Sequence, residues 1–174
     1  TLFPSNMAVA ATSDSILAYE QGKITALEAR ALGVQITFSP VMDINNNPDN
    51  PIINFRAYSD NPETVSKFGS AFIKGAQDNG LIACAKHFPG HGNTATDSHT
   101  SLPTIKTSRS ELEKLELQSF KAAINAGVKM IMVGHIALPG LDESGEPASH
   151  SSAITTSLLR NEMGFGGIII TDGM

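Results

Sequence analysis

Four short apolar runs divide the chain, at Val34 to Ser39, Leu81 to Lys86, Lys129 to Val133 and Gly167 to Thr171. Runs of this length bounded by Gly and Pro read as buried strands. Each follows a stretch with helical spacing. From Ser13 to Leu32, apolar positions such as Ile16, Leu17, Ala26, Leu27 and Ala29 recur at mostly helical intervals, and Gly33 supplies the stop. Asn61-Pro62-Glu63 sets a cap and a proline at the first helical position. Val65, Phe68, Ala71, Phe72 and Ala76 then form one face, and Gly80 ends the helix. Ser108 and Glu111 form a capping box that opens a helix through Leu112, Leu115, Leu117, Phe120 and Ile124 to Gly127. A shorter helix is predicted from about Thr155 to Met163. The order αβαβαβαβ is that of parallel strands joined by crossover helices.

Each helix is followed closely by its strand, whereas the segments after the strands are long: Pro40 to Asp60, His87 to Lys106 and Gly134 to Ile154. Long connections in compact domains are usually functional. All of them leave the C-terminal ends of strands, and so does Asp172. Unusual polar residues are therefore expected on one face of a parallel sheet, where barrels and doubly wound sheets keep their sites. The glycines of Gly90-His91-Gly92 sit in a long loop and not in a tight turn into a helix, so a dinucleotide-binding fingerprint is not indicated.

Composition narrows the class. With 174 residues, 41% of them hydrophobic, the chain can bury a core as one domain. Net charge is −5 and the 12 basic residues are dispersed, which argues against a nucleic-acid or anionic membrane partner. No apolar run reaches the roughly 18 residues of a membrane span, and the N-terminus lacks a signal-peptide pattern. Cys84, the single cysteine, lies in an apolar run and reads as a buried inert thiol. The chain opens without a Met and stops at Thr171-Asp172-Gly173-Met174 after an apolar run, so residues 1–174 read as part of a domain cut at both ends.

The densest chemistry lies between Lys86 and His99, where one strand end and the following loop hold Lys86, His87, His91, Asp97 and His99. Asp97 and His99 are close enough in a turn for the carboxylate to orient the imidazole, the arrangement that tunes a general acid/base. Lys86 and His87 are placed to donate to substrate hydroxyls or an amide. A metal site built from His87, His91, Asp97 and His99 is the rival. Pro89 and Gly90 prevent His87 and His91 from sharing a helix face, which weakens it. Between its two glycines, His91 reads more simply as a residue bonded to the loop backbone. Asp172, at the mouth of an apolar strand, is costly unless paired or put to use, and capping the next helix is its ordinary alternative. Arg56 could clamp an anion or hydroxyl, or form a loop ion pair with Asp60 or Asp43. Asp43, in Asp43-Ile44-Asn45-Asn46-Asn47-Pro48, reads as an Asx-turn residue as readily as a catalytic one. His135 could line the site, while His150 in a Ser-rich loop is expected to face solvent.

These motifs resemble glycoside hydrolase family 3, in its branch of bacterial β-N-acetylhexosaminidases. The resemblance runs from Phe3-Pro4-Ser5-Asn6-Met7-Ala8 through Pro40-Val41-Met42-Asp43-Ile44-Asn45, Asn54-Phe55-Arg56-Ala57-Tyr58, Lys86 to Gly92 and Asp97-Ser98-His99 to Thr171-Asp172-Gly173-Met174. It implies a (β/α)8 barrel, of which about four strands of eight are present. It also implies a retaining mechanism with Asp172 as nucleophile, His99 with Asp97 as acid/base, and Lys86, His87 and Arg56 holding the sugar. The implied substrate is a glycan with terminal N-acetylglucosamine, from peptidoglycan or chitin, with no cofactor or metal. Phosphate in place of water as acceptor is a variant of the same mechanism. A β-glucosidase or β-xylosidase of the same family, or a silent carbohydrate-binding piece, is the alternative. A further sugar-binding Asp of the family would precede Thr1, so the isolated chain is expected to be poorly stable and inactive. The resemblance leaves compartment open between bacterial cytoplasm and cell envelope.

Overall fold

The computed structural model describes residues 1–94 and 102–173. Its framework is one parallel sheet of four strands in the order β1 (Ile36–Thr37), β2 (Ile82–Phe88), β3 (Met130–Val133) and β4 (Ile168–Thr171). All pairings are parallel, with Ile36 opposite Ile82, Cys84 opposite Met130 and Met130 opposite Ile168. The order follows the chain, so each crossover steps one strand along a curved wall that does not close on itself. This is an α/β fold and a part of the wall of a (β/α)8 barrel, as the sequence implied.

Helices α1 (Asn6–Ala11) and α2 (Ser15–Ala31) precede the sheet, α3 (Pro62–Asp78) joins β1 to β2, and α4 (Arg109–Lys114) with α5 (Glu116–Asn125) joins β2 to β3. Helix boundaries follow local chemistry. Asp14 caps α2 through Ile16 N–H, Asn61 caps α3 through Thr64 N–H with Pro62 behind it, and the Ser108/Glu111 capping box is formed. Gly33, Gly80 and Gly127 follow with positive φ.

Three local departures from expectation have physical causes. The helix after Ser108 is broken at Leu115, whose φ of −115° and ψ of −89° leave the helical region, giving α4 and α5. The helix before β4 is wound as a π-helix over Ala153–Glu162, with Met163 N–H donating to Leu158 O at 2.9 Å, an i to i+5 bond. The short helix α1 had not been foreseen; Ser5 caps it by accepting from Ala8 N–H.

Strand parity separates two apolar layers. Ala83, Ala85, Ile131 and Val133 join Phe68, Phe72, Leu117 and Phe120 in the main core between sheet and helices. Phe88 and Phe120 meet edge to face at 5.2 Å. Cys84, Met130 and Met132 form a smaller cluster with Ile82 and Ile170 on the opposite face, the concave side of the wall. Burial on both faces is why β2 and β3 read as continuous apolar runs. The same parity puts Lys86 and Asp172 on the concave side, beyond Cys84 and Ile170. At the lateral limits of the sheet, Ile36 and Ile168 stay 37% and 50% exposed. Helices α2 and α3 approach closely because Gly22 lies against Phe72 O and Gly75 against Tyr19 O, where a Cβ has no room.

Candidate active site

The end of β2 carries the site. Pairing with the β1 side continues past β1 itself, since Val41 bridges Lys86 and Met42 N–H donates to Lys86 O at 2.6 Å. The β2–β3 register shifts between Lys86 and Phe88, so two successive polar side chains sit at the strand mouth while Phe88 returns to the core. Lys86 lines a cavity of ≈ 250 Å³ with Arg56, Asn6, Ser39 and Phe55. Burial, followed by the Arg56 guanidinium, lowers the Lys86 pKa. Arg56 Nη1 donates to Ile52 O at 3.0 Å, and Asn6 Nδ2 donates to Arg56 O at 2.7 Å. That places Arg56 beside Lys86 on the cavity, and neither expected ion pair, with Asp43 or Asp60, is found among its described partners.

Asp43 is the centre of the polar network, fully buried and two residues beyond the Val41 bridge. His87 Nδ1 lies 2.7 Å from its Oδ2, His91 N–H donates to its Oδ1 at 2.7 Å, and His87 N–H reaches Oδ1 and Oδ2 at 3.2 and 3.3 Å. Burial alone would raise its pKa. The facing His87 ring and the donated hydrogen bonds outweigh burial and leave it below the ordinary carboxylate value. Of the two readings open for Asp43, the described hydrogen bonds do not form a local Asx turn, since its partners lie 44 and 48 residues away in the chain.

The other edge of the His87 ring faces Asp172, with Nε2 3.7 Å from Asp172 Oδ2. Asp172 is held by its backbone: its N–H donates to Val133 O at 2.9 Å, extending the β3–β4 ladder by one residue. Gly173 N–H donates to its Oδ1 at 2.8 Å, leaving Oδ2 toward His87. His135 Nε2 lies 3.3 Å from Asp172 O, and its Nδ1 lies 2.7 Å from Ser149 Oγ. The structure thus gathers Asp43, Lys86, His87, Arg56, His135 and Asp172 at the C-terminal ends of the strands. Asp97 and His99 lie outside the described residues.

His91 is buried, with Nδ1 3.0 Å from Thr94 Oγ1, and burial lowers its pKa. The described partner of its ring is thus a side chain and not the loop backbone, while its own backbone is held by side chains: its N–H donates to Asp43, and its carbonyl accepts from Asn50 Nδ2 at 2.8 Å. The flanking glycines are explained by close approach: a Cβ on Gly90 would run into the buried Glu116 side chain, and one on Gly92 into Ile44 O. Cys84 is buried, and burial pushes its thiol up to about 12. His150 is exposed. Among the described residues no three His, Cys, Asp or Glu side chains are grouped to hold a metal ion. No helix among them is long and apolar enough to cross a membrane.

Residues 1–174 match the glycosyl hydrolase family 3 N-terminal domain over their whole length. The chain belongs to glycosyl hydrolase family 3. Among curated members of the family, β-hexosaminidase A of Pseudoalteromonas piscicida is 39% identical over 188 residues, covering 100% of this chain and 31% of that protein. A β-N-acetylglucosaminidase/β-glucosidase of Cellulomonas fimi is 37% identical, covering 97% of this chain and 31% of that protein. Among solved structures, a family 3 β-N-acetylglucosaminidase from Paenibacillus sp. str. FPU-7 superposes with a TM-score of 0.97 at 45% identity, covering 99% of this chain and 33% of that one. The chain therefore spans about a third of the length of these family 3 relatives. Its open four-stranded wall corresponds to part of the family's barrel domain.

Proposed function

We propose that this chain forms the catalytic part of a retaining exo-glycosidase that removes terminal β-linked N-acetylhexosamine, N-acetylglucosamine above all. One observation carries the reading: Asp172 Oδ2 stands at a strand mouth on the concave face, with His87 Nε2 at 3.7 Å and the Lys86–Arg56 cavity on the same side. A carboxylate near Lys86 and Arg56, whose charged groups donate to hydroxyl and amide oxygens, is what a glycosyl-enzyme mechanism needs.

In the first step Asp172 Oδ2 attacks the anomeric carbon, the glycosidic C–O bond breaks, and His99, oriented by Asp97, gives its proton to the departing oxygen. In the second, His99 takes a proton from water, the water oxygen bonds the anomeric carbon, and the ester to Asp172 breaks. Two displacements return the original configuration. Lys86, His87 and Arg56 hold the sugar, and His135 fixes the Asp172 backbone. Peptidoglycan fragments or chitin-derived sugars are the glycans this reading assigns.

The Cellulomonas fimi relative is named for both N-acetylglucosaminidase and β-glucosidase activity, which supports β-glucoside cleavage as a second reading. Release of 4-nitrophenol from its N-acetyl-β-glucosaminide and its β-glucoside, by the full-length protein carrying this chain, tests both. Turnover of the N-acetylated sugar alone supports the first, turnover of both supports the second, and turnover of neither by folded protein removes the glycosidase reading.

A further inference from the structure

We infer that Asp43 is a positioning residue for the proposed reaction, holding His87 with its proton on Nδ1 and its Nε2 edge turned toward Asp172. Asp43 has no solvent-accessible surface, so no sugar touches it. A carboxylate only accepts hydrogen bonds. The 2.7 Å contact to His87 Nδ1 therefore makes Nδ1 the protonated nitrogen, and leaves Nε2 as the edge that meets whatever occupies the space beside Asp172. The same carboxylate accepts from His87 N–H and His91 N–H, so it fixes the backbone on which the ring is mounted as well as the ring.

An amide at this position cannot do the same. Asn offers one acceptor oxygen, and the backbone N–H groups of His87 and His91 both need it. The NH2 group then faces His87 Nδ1, which must present a lone pair, and the proton moves to Nε2. Asp43→Asn therefore inverts the His87 tautomer at nearly constant volume.

The inference rests on the glycosidase reading, and its test separates the two. In the full-length protein, kcat/KM toward the 4-nitrophenyl N-acetyl-β-glucosaminide is measured for wild type, Asp43→Asn, His87→Ala and the double variant. Asp43→Asn is expected to lose at least about 10²-fold, because a misplaced ring beside the reacting carboxylate misplaces the sugar it holds. The double variant is expected to lose no more than His87→Ala alone, because Asp43 acts through that ring. Nitrogen-15 spectra of histidine-labelled protein are expected to show His87 Nδ1 protonated in wild type and Nε2 protonated in Asp43→Asn. Unchanged kinetics in Asp43→Asn, losses that multiply in the double variant, or an unprotonated His87 Nδ1 in wild type would each overturn the inference. The wild-type spectrum decides even where a variant fails to fold. Absence of turnover by wild type counts against the glycosidase reading and leaves the spectrum to judge Asp43.

Discussion

His135 Nε2 lies 3.3 Å from the carbonyl oxygen of Asp172, and Ser149 holds the other side of the His135 ring at 2.7 Å. The contact ties the loop after β3 to the residue that ends β4. Because the contact is to the backbone, His135 bears on where the Asp172 carboxylate sits without touching its reacting oxygen. His135→Ala is expected to lower kcat by roughly 10-fold to 10²-fold while KM changes little, since a small misplacement of a reacting group is costly. Steady-state kinetics of the full-length protein check this, and a loss confined to KM would place His135 on the sugar instead.

Glu116 is buried at the start of α5, its nearest described partner Asn46 Nδ2 at 3.4 Å. Burial first, and the Asp43 carboxylate with it, raise its pKa. A carboxyl with a raised folded pKa contributes stability below its unfolded pKa and loses it as pH rises through the folded value. Glu116→Gln mimics the protonated form. It is expected to raise the melting temperature by roughly 2–4 °C at pH 8 and to leave it unchanged at pH 4. Thermal unfolding at the two pH values reads this out.

Asp43 has the opposite sign. Its folded pKa is lowered, so the stability it contributes is present above the unfolded carboxylate value and is lost as pH falls through the folded one. The wild-type protein is expected to lose stability on acidification below about pH 4, and Asp43→Asn to show a shallower acid limb in the same unfolding series.

Gly92 packs against Ile44 O, and the Asn50 side chain holds Gly92 O at 2.9 Å and His91 O at 2.8 Å. Gly92→Ala pushes the loop from the end of β1. It is expected to cost about 1–3 kcal/mol as an overpacked site and to lower activity further, because Gly92 lies five residues before Asp97 in the chain. Denaturant unfolding and kinetics of one variant measure both.

Much of the fold was legible because its signals are local. Asn61-Pro62, Ser108/Glu111 and the glycines after the helices act within one turn of chain, and each did what its chemistry dictates. The four strands were visible as short apolar runs between turn residues, and β2 and β3 most plainly because both their faces are buried. Strand length was less so: β1 is only Ile36–Thr37, since Pro40 brings no N–H to the ladder after Ser39. The break at Leu115 and the π-helix leave no mark in the hydrophobic periodicity.

The site divides the same way. Lys86, His87 and Asp172 stood out by their place at strand ends. Asp43 did not, because its meaning lies in contacts 44 and 48 residues away. An Asp in the segment after the first strand, ahead of a second strand end rich in His, is the signal that was present.

In the proposed reaction Asp172 forms a covalent bond to the sugar. The most direct measurement is mass spectrometry of the full-length protein after reaction with a fluorinated N-acetylglucosaminyl fluoride, which forms the glycosyl-enzyme faster than water releases it. One sugar adduct is expected on the peptide that contains Asp172, and none in Asp172→Ala. An adduct on another residue, or none from a protein that turns over the 4-nitrophenyl sugar, would contradict it.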